Sequence, residues 1–398
     1  MKPAQRTHQI EPFYVMEVAK RAAEIEHSLL ASDPAMIHLT LGEPDFTAPE
    51  RVQQAAIAAI RQGKTQYTAA LGLEQLRERI SDWYTTRFKL KVPKERIVIT
   101  AGASAALQLI CSALIEEGDE VMMPDPCYPC NRHFVTSVGG IASLIPTTAA
   151  ERFQLSQQKV AAHWQDNTKG VLIASPSNPT GTSIVPQELA AIHQFVKSKK
   201  GFTIVDELYL GLSYNAEFGQ SALALDDDII SINSFSKYFS MTGWRLGWMV
   251  VPERLVRTIE KLAQNFFICP SAISQYAGIA CFEQESLEEY EQRRAEYRRR
   301  RDWVIPALNE LGLNVPVMPD GAFYAWVDCQ AWSEALKLPS SWEFAFEIMQ
   351  RCHVAITPGR DFGNADTDRF VRFSTSNSLD NLQIAVERLA KLKLQLFR

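Results

Sequence analysis

This 398-residue chain carries few signs of a specialised environment. No apolar run approaches the ~20 residues that cross a bilayer, and the opening MKPAQRTHQIEPF has no apolar signal region. Neither sign of charge dominates. Forty-one lysines and arginines stand against 46 aspartates and glutamates, a formal net charge of -5. That balance argues against a protein held on nucleic acid by phosphate neutralisation. The densest basic run, Arg298 to Arg301, belongs to a mixed-sign stretch from Glu283 that reads as a solvated helix face. Seven cysteines are scattered, and only Cys127 and Cys130 form a C-x-x-C pair. No second pair completes a zinc site and no thioredoxin-like context supports a redox pair. The expectation is a reduced, cytoplasmic protein. Repeats and low-complexity tracts are absent. What remains is ordinary globular composition, 46% apolar and 22% charged, with length for two or three domain-sized units and a large core.

Short apolar runs alternate with helical patterns. The strand candidates are Ile97–Thr100, Glu120–Met123, Val171–Ala174, Thr203–Val205, Ile229–Ile232 and Leu246–Val251. Helical stretches at Ser104–Ile115, Pro186–Lys199 and Pro252–Asn265 lie between or after them. Several strands are apolar throughout, as in a mostly parallel sheet covered on both faces, so the rhythm predicts an α/β fold. Beyond Glu283 a long charged helix leads to strand-like pieces at Ala322–Val327, Val354–Thr357 and Phe370–Phe373 and a closing helix at Leu379–Leu394. These predict a smaller α+β unit, on which the Leu41–Asp45 turn packs. The expected division is 46–285 for the large unit, opened by helix Glu50–Gln62, and 1–45 plus 286–398 for the small one.

Four strands end in polar or glycine-rich segments: AGAS (101–104), SPSNPTG (175–181), DELY (206–209) and SFSK (234–237). Ligands of open parallel sheets bind beyond such ends. Thr100–Ser104 turns from strand into helix, and a helix start attracts phosphate. Ser234 and Ser236 add hydroxyls, and Arg245 adds a forked cation suited to phosphate oxygens. Asp206 ends an apolar strand, where a carboxylate needs a cationic partner such as a protonated ring nitrogen. Asn178 and Tyr209 suit a phenolic oxygen, and Tyr128 offers an aromatic face. Phosphate, ring nitrogen, phenolic oxygen and aromatic face describe pyridoxal phosphate, and Lys237 is then the amine that forms an imine with its aldehyde.

S-x-S-K followed by G-W-R-x-G, with N-P-T-G and D-E-x-Y upstream, resembles the class I and II aminotransferases of the aspartate aminotransferase fold, from about Leu41 to Phe373. The resemblance implies that Asp206 pairs with the pyridine nitrogen, that Asn178 and Tyr209 hold the ring oxygen and that Tyr128 stacks on the ring. It implies phosphate contacts from Ala103, Ser104, Ser234, Ser236 and Arg245. Tyr67 looks like the tyrosine that reaches the phosphate from a partner subunit, which implies a homodimer with shared sites. Arg372, rather than nearby Arg369, matches the arginine that clamps the substrate carboxylate, and Gly42 looks like the backbone that closes over the same substrate.

The implied reaction moves an amino group from an amino acid to a 2-oxo acid, in ping-pong fashion. In some aspartate-using relatives a lysine follows the glycines of the phosphate turn, where this chain has Ser104. The apolar stretch Asn265–Ile268 is expected near the pocket. Both features favour neutral or apolar donors. Two other readings use the same residues: a carbon–sulfur β-lyase, and a non-catalytic sensor of pyridoxal phosphate. The sensor would carry a DNA-binding segment ahead of the fold, and the first forty or so residues hold no helix-turn-helix pattern.

Overall fold

A computed structural model describes residues 1–28, 30, 33–40 and 42–397. Leu41, the first residue of the expected turn, lies outside the described residues. The strands in chain order are β1 (Ile37–His38), β2 (Ile97–Thr100), β3 (Glu120–Asp125), β4 (Ile141–Pro146), β5 (Thr168–Ala174), β6 (Phe202–Asp206), β7 (Ile230–Ser234), β8 (Gly247–Val250), β9 (Tyr324–Asp328), β10 (Val354–Ala355), β11 (Thr357–Pro358) and β12 (Phe370–Ser374). Seven of them form one sheet in the order β2-β8-β7-β6-β5-β3-β4. Every residue of β2, β7 and β8 is buried; β2 and β8 are accordingly apolar-rich, whereas β7 alternates Ile230 and Ile232 with buried Ser231, Asn233 and Ser234.

Only β8 opposes its neighbours, pairing antiparallel with both β2 and β7. Its first residue therefore lies where the others end: Gly247 stands opposite Thr100 and Ser234. Reversal of this one strand brings Arg245, two residues before it, to the carboxyl edge of the sheet. A three-stranded antiparallel sheet, β11-β12-β9, is separate from the large one, and β1 pairs with β10.

One core crosses between the sheets, packing Trp83, Phe235 and Trp248 with Tyr290, Tyr297 and Phe323. Helix Gly102–Leu114 packs with β7 and β8 over Val98, Ile110, Ile204 and Met249. A second core on the main sheet gathers Met122, Val171, Ile192 and Val205. Another joins Ile37 and Leu39 to Val304, Val327, Ile348, Val371 and Leu389, all from the first 45 or the last 113 residues.

Several elements depart from the sequence reading. Edge strand β4 was not anticipated, because it is only partly buried and lacks a continuous apolar run. The piece Val354–Thr357 splits, since β10 bonds to β1 and β11 to β12. The long helix runs Gln284–Glu310, and its basic run is not all solvated. Arg298 and Arg299 face out, but Arg300 and Arg301 are buried. Arg300 donates to Asp45 Oδ2 at 2.9 Å and to Glu296, while Arg301 donates to the Pro319 carbonyl at 2.7 Å. Burial of a guanidinium requires such partners, and here they tie the 42–45 segment to the helix.

Candidate active site

The strand ends open on a cavity of about 460 Å³. Helix Gly102–Leu114 starts on its rim with no side-chain cap, so its first N–H groups are free for an anion. Gly102 has φ +80°, and a Cβ there would stand 2.6 Å from Arg245 Nη2. Only glycine allows both the turn and the approach of the cation. Arg245, exposed in the single chain, donates through Nη1 to the Thr242 carbonyl at 3.1 Å. Ser234 and Ser236 are buried beside it, linked hydroxyl to hydroxyl at 2.9 Å. Ala103 and Ser104 complete this side of the lining.

Successive strand residues point to opposite faces, and the pair Asp206-Glu207 shows what that does. Glu207 turns away from the cavity and is fully used by Ser221 Oγ at 2.9 Å, Ser231 Oγ at 2.6 Å and the Ala222 N–H at 2.6 Å. Asp206 faces the cavity with one hydrogen bond, from the Leu208 N–H at 3.2 Å. Burial, with Glu207 adding to it, pushes the Asp206 carboxyl up to about 7. Lys237 is half-buried, donates to the Gly42 carbonyl and lies 5.8 Å from the centre of the Tyr209 ring. Burial, then the Arg372 charge, pulls its amine down to about 8.

Arg372 projects from β12 and is 2% exposed. Its Nη1 donates to Asn178 Oδ1 at 2.9 Å, its Nη2 to the Thr40 carbonyl, and its Nε has no partner. Arg369, 43% exposed at its side chain, is spent on Asp328. Among the described residues Asp206, Lys237, Arg245 and Arg372 make no ion pair, whereas Arg96, Arg300 and Arg369 do.

Twelve of the thirteen residues singled out from sequence line this cavity: Gly42, Ala103, Ser104, Tyr128, Asn178, Asp206, Tyr209, Ser234, Ser236, Lys237, Arg245 and Arg372. Tyr67 does not; it is 79% exposed in the single chain. Asn265–Ile268 does not either. Phe266, Phe267 and Ile268 stand exposed outside the cavity, which corrects the expectation that they approach it. Cys127 and Cys130 are free thiols, and burial pushes Cys127 up to about 12, opposite to a reactive thiol.

Sequence reasoning missed Tyr324, Thr40 and the trio Phe13, Val15 and Met16, which also line the cavity. The trio belongs to helix Tyr14–Ser28 and the residue before it, and the helix start is anchored by Asp361, which accepts from the Tyr14 and Val15 N–H groups at 3.1 and 3.0 Å. No local pattern announces that packing. Tyr324 lies in a recognised strand, but its neighbours are buried as well, so alternation does not single it out.

An uncapped helix start with Arg245 beside it, the buried Asp206 carboxyl, Lys237 and Arg372 thus share one cavity at the strand ends of an α/β fold. The family model for "Aminotransferase class I and II" matches residues 34–389. The valine–pyruvate aminotransferase of Mycobacterium tuberculosis is 36% identical over 381 residues, 96% of each chain. The aspartate aminotransferase of Geobacillus stearothermophilus is 30% identical over 98% of each. A crystal structure of an aminotransferase from Mycobacterium tuberculosis superposes with a TM-score of 0.93 at 35% identity, covering 99% of this chain and 100% of the other. The chain belongs to the class I and II aminotransferases, with the aspartate aminotransferase-like fold. It transfers amino groups between amino acids and 2-oxo acids and depends on pyridoxal phosphate. The residues fit that cofactor: a buried carboxylate without a cation suits a protonated ring nitrogen, and Arg245 without an anion suits a phosphate.

Proposed function

We propose that Lys237 is the covalent anchor and proton carrier of this aminotransferase, and that the donor it takes is a neutral or apolar amino acid. The observation that supports the site assignment is that Asp206, Lys237, Arg245 and Arg372, with Glu43, are charged side chains around one cavity that make no ion pair among the described residues. When bound, pyridoxal phosphate supplies an aldehyde that condenses with an amine and a ring that takes up an electron pair. Lys237 at about 8 is partly neutral near physiological pH, as a nucleophile and general base must be. The Lys237 Nζ, when free, would be the base that accepts the donor's α-proton. Asp206 holds a proton on the ring nitrogen. Asn178 and Tyr209 would hold the ring oxygen, Tyr128 would pack against the ring, and Arg245 with Ser234, Ser236, Ala103 and Ser104 would hold the phosphate. Arg372 takes the substrate carboxylate on its planar fork, under the backbone of Gly42.

Apolar Phe13, Val15, Met16, Leu107 and Phe134 wall the cavity, and among the described residues of the single chain its cations are Lys237, Arg245 and Arg372. By the resemblance, Ser104 matches the position of the lysine in some aspartate-using relatives. The similar Mycobacterium tuberculosis protein is a valine–pyruvate enzyme, which agrees. The same walls would admit a β-lyase substrate, so the acceptor requirement separates the two readings.

We also place a second copy against Tyr67. Thr68 N–H meets Cys269 Sγ at 3.4 Å, so exposed Tyr67 adjoins the exposed run Phe266–Ile268, an apolar surface of the kind a two-fold partner covers. The units 46–285 and 1–45 plus 286–398 then form the fixed and closing parts of each subunit. Borohydride reduction of the cofactor-saturated protein, followed by peptide mapping, tests the assignment. The mark is expected on Lys237; a mark elsewhere, or none, overturns it.

A further inference from the structure

Tyr324 is where the two sides of the cavity meet. It opens β9 and pairs in register with Ser374 of β12, the strand that carries Arg372. The Arg372 guanidinium carbon lies 4.6 Å from the centre of the Tyr324 ring. The Tyr324 hydroxyl lies 2.6 Å from the hydroxyl of Tyr209, which hangs from the end of β6 in the other sheet. A Cβ on Gly42 would stand 2.5 Å from that same Tyr324 oxygen but 3.6 Å from the ring carbon that bears it. The Gly42 carbonyl in turn accepts from Lys237 Nζ. Tyr324 is 1% exposed. Phenylalanine would fill this space as well, without a polar atom to bury; the hydroxyl is the part that packing alone does not require.

We propose that Tyr324 is a positioning residue for the transamination site: its hydroxyl orients the Tyr209 phenol and sets how closely the Gly42 backbone approaches, while its ring backs the Arg372 clamp. The inference rests on the assignment of Tyr209 to the cofactor ring oxygen. Tyr209 has one hydroxyl proton. When that proton goes to a ligand oxygen, the bond between the two tyrosines must be donated by Tyr324. A hydroxyl that accepts such a bond becomes a stronger donor itself. Without Tyr324's hydroxyl, negative charge on the ligand oxygen is held less well, and the protonated form persists to higher pH.

Tyr324→Phe keeps the ring beneath Arg372 and removes only the oxygen. The pH midpoint of the holoenzyme's visible absorbance is expected to rise by about half a unit or more. The kcat is expected to fall while KM for the amino donor stays within about threefold. A second arm uses Gly42→Ala and the binding of 3-methylbutanoate, an unreactive carboxylate, followed by absorbance. Alone, Gly42→Ala is expected to weaken that binding by roughly tenfold; in the Tyr324→Phe background the loss shrinks to about twofold, because the clashing atom is gone. An unmoved midpoint, or a Gly42→Ala loss equal in both backgrounds, overturns the proposal. A borohydride mark off Lys237 would instead overturn the site assignment itself; a mark on Lys237 with an unmoved midpoint removes only the role of Tyr324.

Discussion

Arg372 and Asn178 are bound to each other, Nη1 to Oδ1 at 2.9 Å, across 194 residues of sequence. The contact joins the antiparallel sheet to the loop after β5. It also explains how a guanidinium 2% exposed tolerates burial without a carboxylate: Asn178 and Thr40 hold it by neutral acceptors and leave its charge free for a ligand.

Arg372→Lys therefore costs more than a charge-conserving change suggests. A lysine offers no planar fork and does not keep the Asn178 bond and a substrate carboxylate together. The expected loss is roughly 10²-fold in kcat/KM for amino donors, carried mainly by KM. Arg369→Ala, which removes an exposed pair with Asp328, is expected to leave both constants within about twofold. Steady-state kinetics on the two variants decides between the arginines.

Asp206 makes the apoprotein sensitive to pH. Its carboxyl ionises near ~4 in the unfolded chain, but burial lifts it to about 7 in the fold. Between those values the folded state binds more protons than the unfolded one, so stability falls as pH rises from ~4 to ~7 and stays lowered above. The contribution is on the order of 4 kcal/mol at most. Asp206→Asn is expected to raise the apoprotein's Tm at pH 8 and to flatten this part of the stability profile. The same variant, loaded with cofactor, is expected to lose ~10²-fold or more in turnover. Thermal melts across pH, with and without cofactor, check both.

Ser104 lines the cavity at the first turn of helix Gly102–Leu114 and is exposed. Ser104→Lys is expected to raise kcat/KM for aspartate relative to valine by roughly tenfold, since a cation there meets a second carboxylate. Half-reaction rates with the two donors measure it.

The exposed run Phe266–Ile268 predicts a dimer of twice 44.8 kDa in sedimentation. Ile268→Asp is expected to shift the protein toward monomer and to make activity depend on protein concentration. A fully active monomer would contradict a shared site.

The thiol pair shows how far a motif reads without its surroundings. Cys127 and Cys130 have redox spacing, yet burial pushes Cys127 up to about 12. Lys237 closes the S-x-S-K motif, yet only its surroundings, burial and then the Arg372 charge, lower its amine to about 8.

The sequence by itself determined the strand–helix rhythm and the polar segments at four strand ends, because local apolar runs, helix starts and turn residues are short-range properties. From these, Lys237, Asp206, Asn178, Tyr209, Ser234, Ser236, Arg245, Tyr128, Ala103 and Ser104 were already legible as candidates. Tertiary structure alone decided that β8 runs backwards and so carries Arg245 to the strand ends, that Glu207 is consumed by Ser221, Ser231 and the Ala222 N–H while Asp206 keeps a single bond, and that Arg300 and Arg301 turn inward. It alone brought Phe13, Thr40 and Tyr324 to the cavity. Those outcomes depend on which distant surfaces meet, and the pairing of a buried charge with its partner is fixed only when the chain has closed around both.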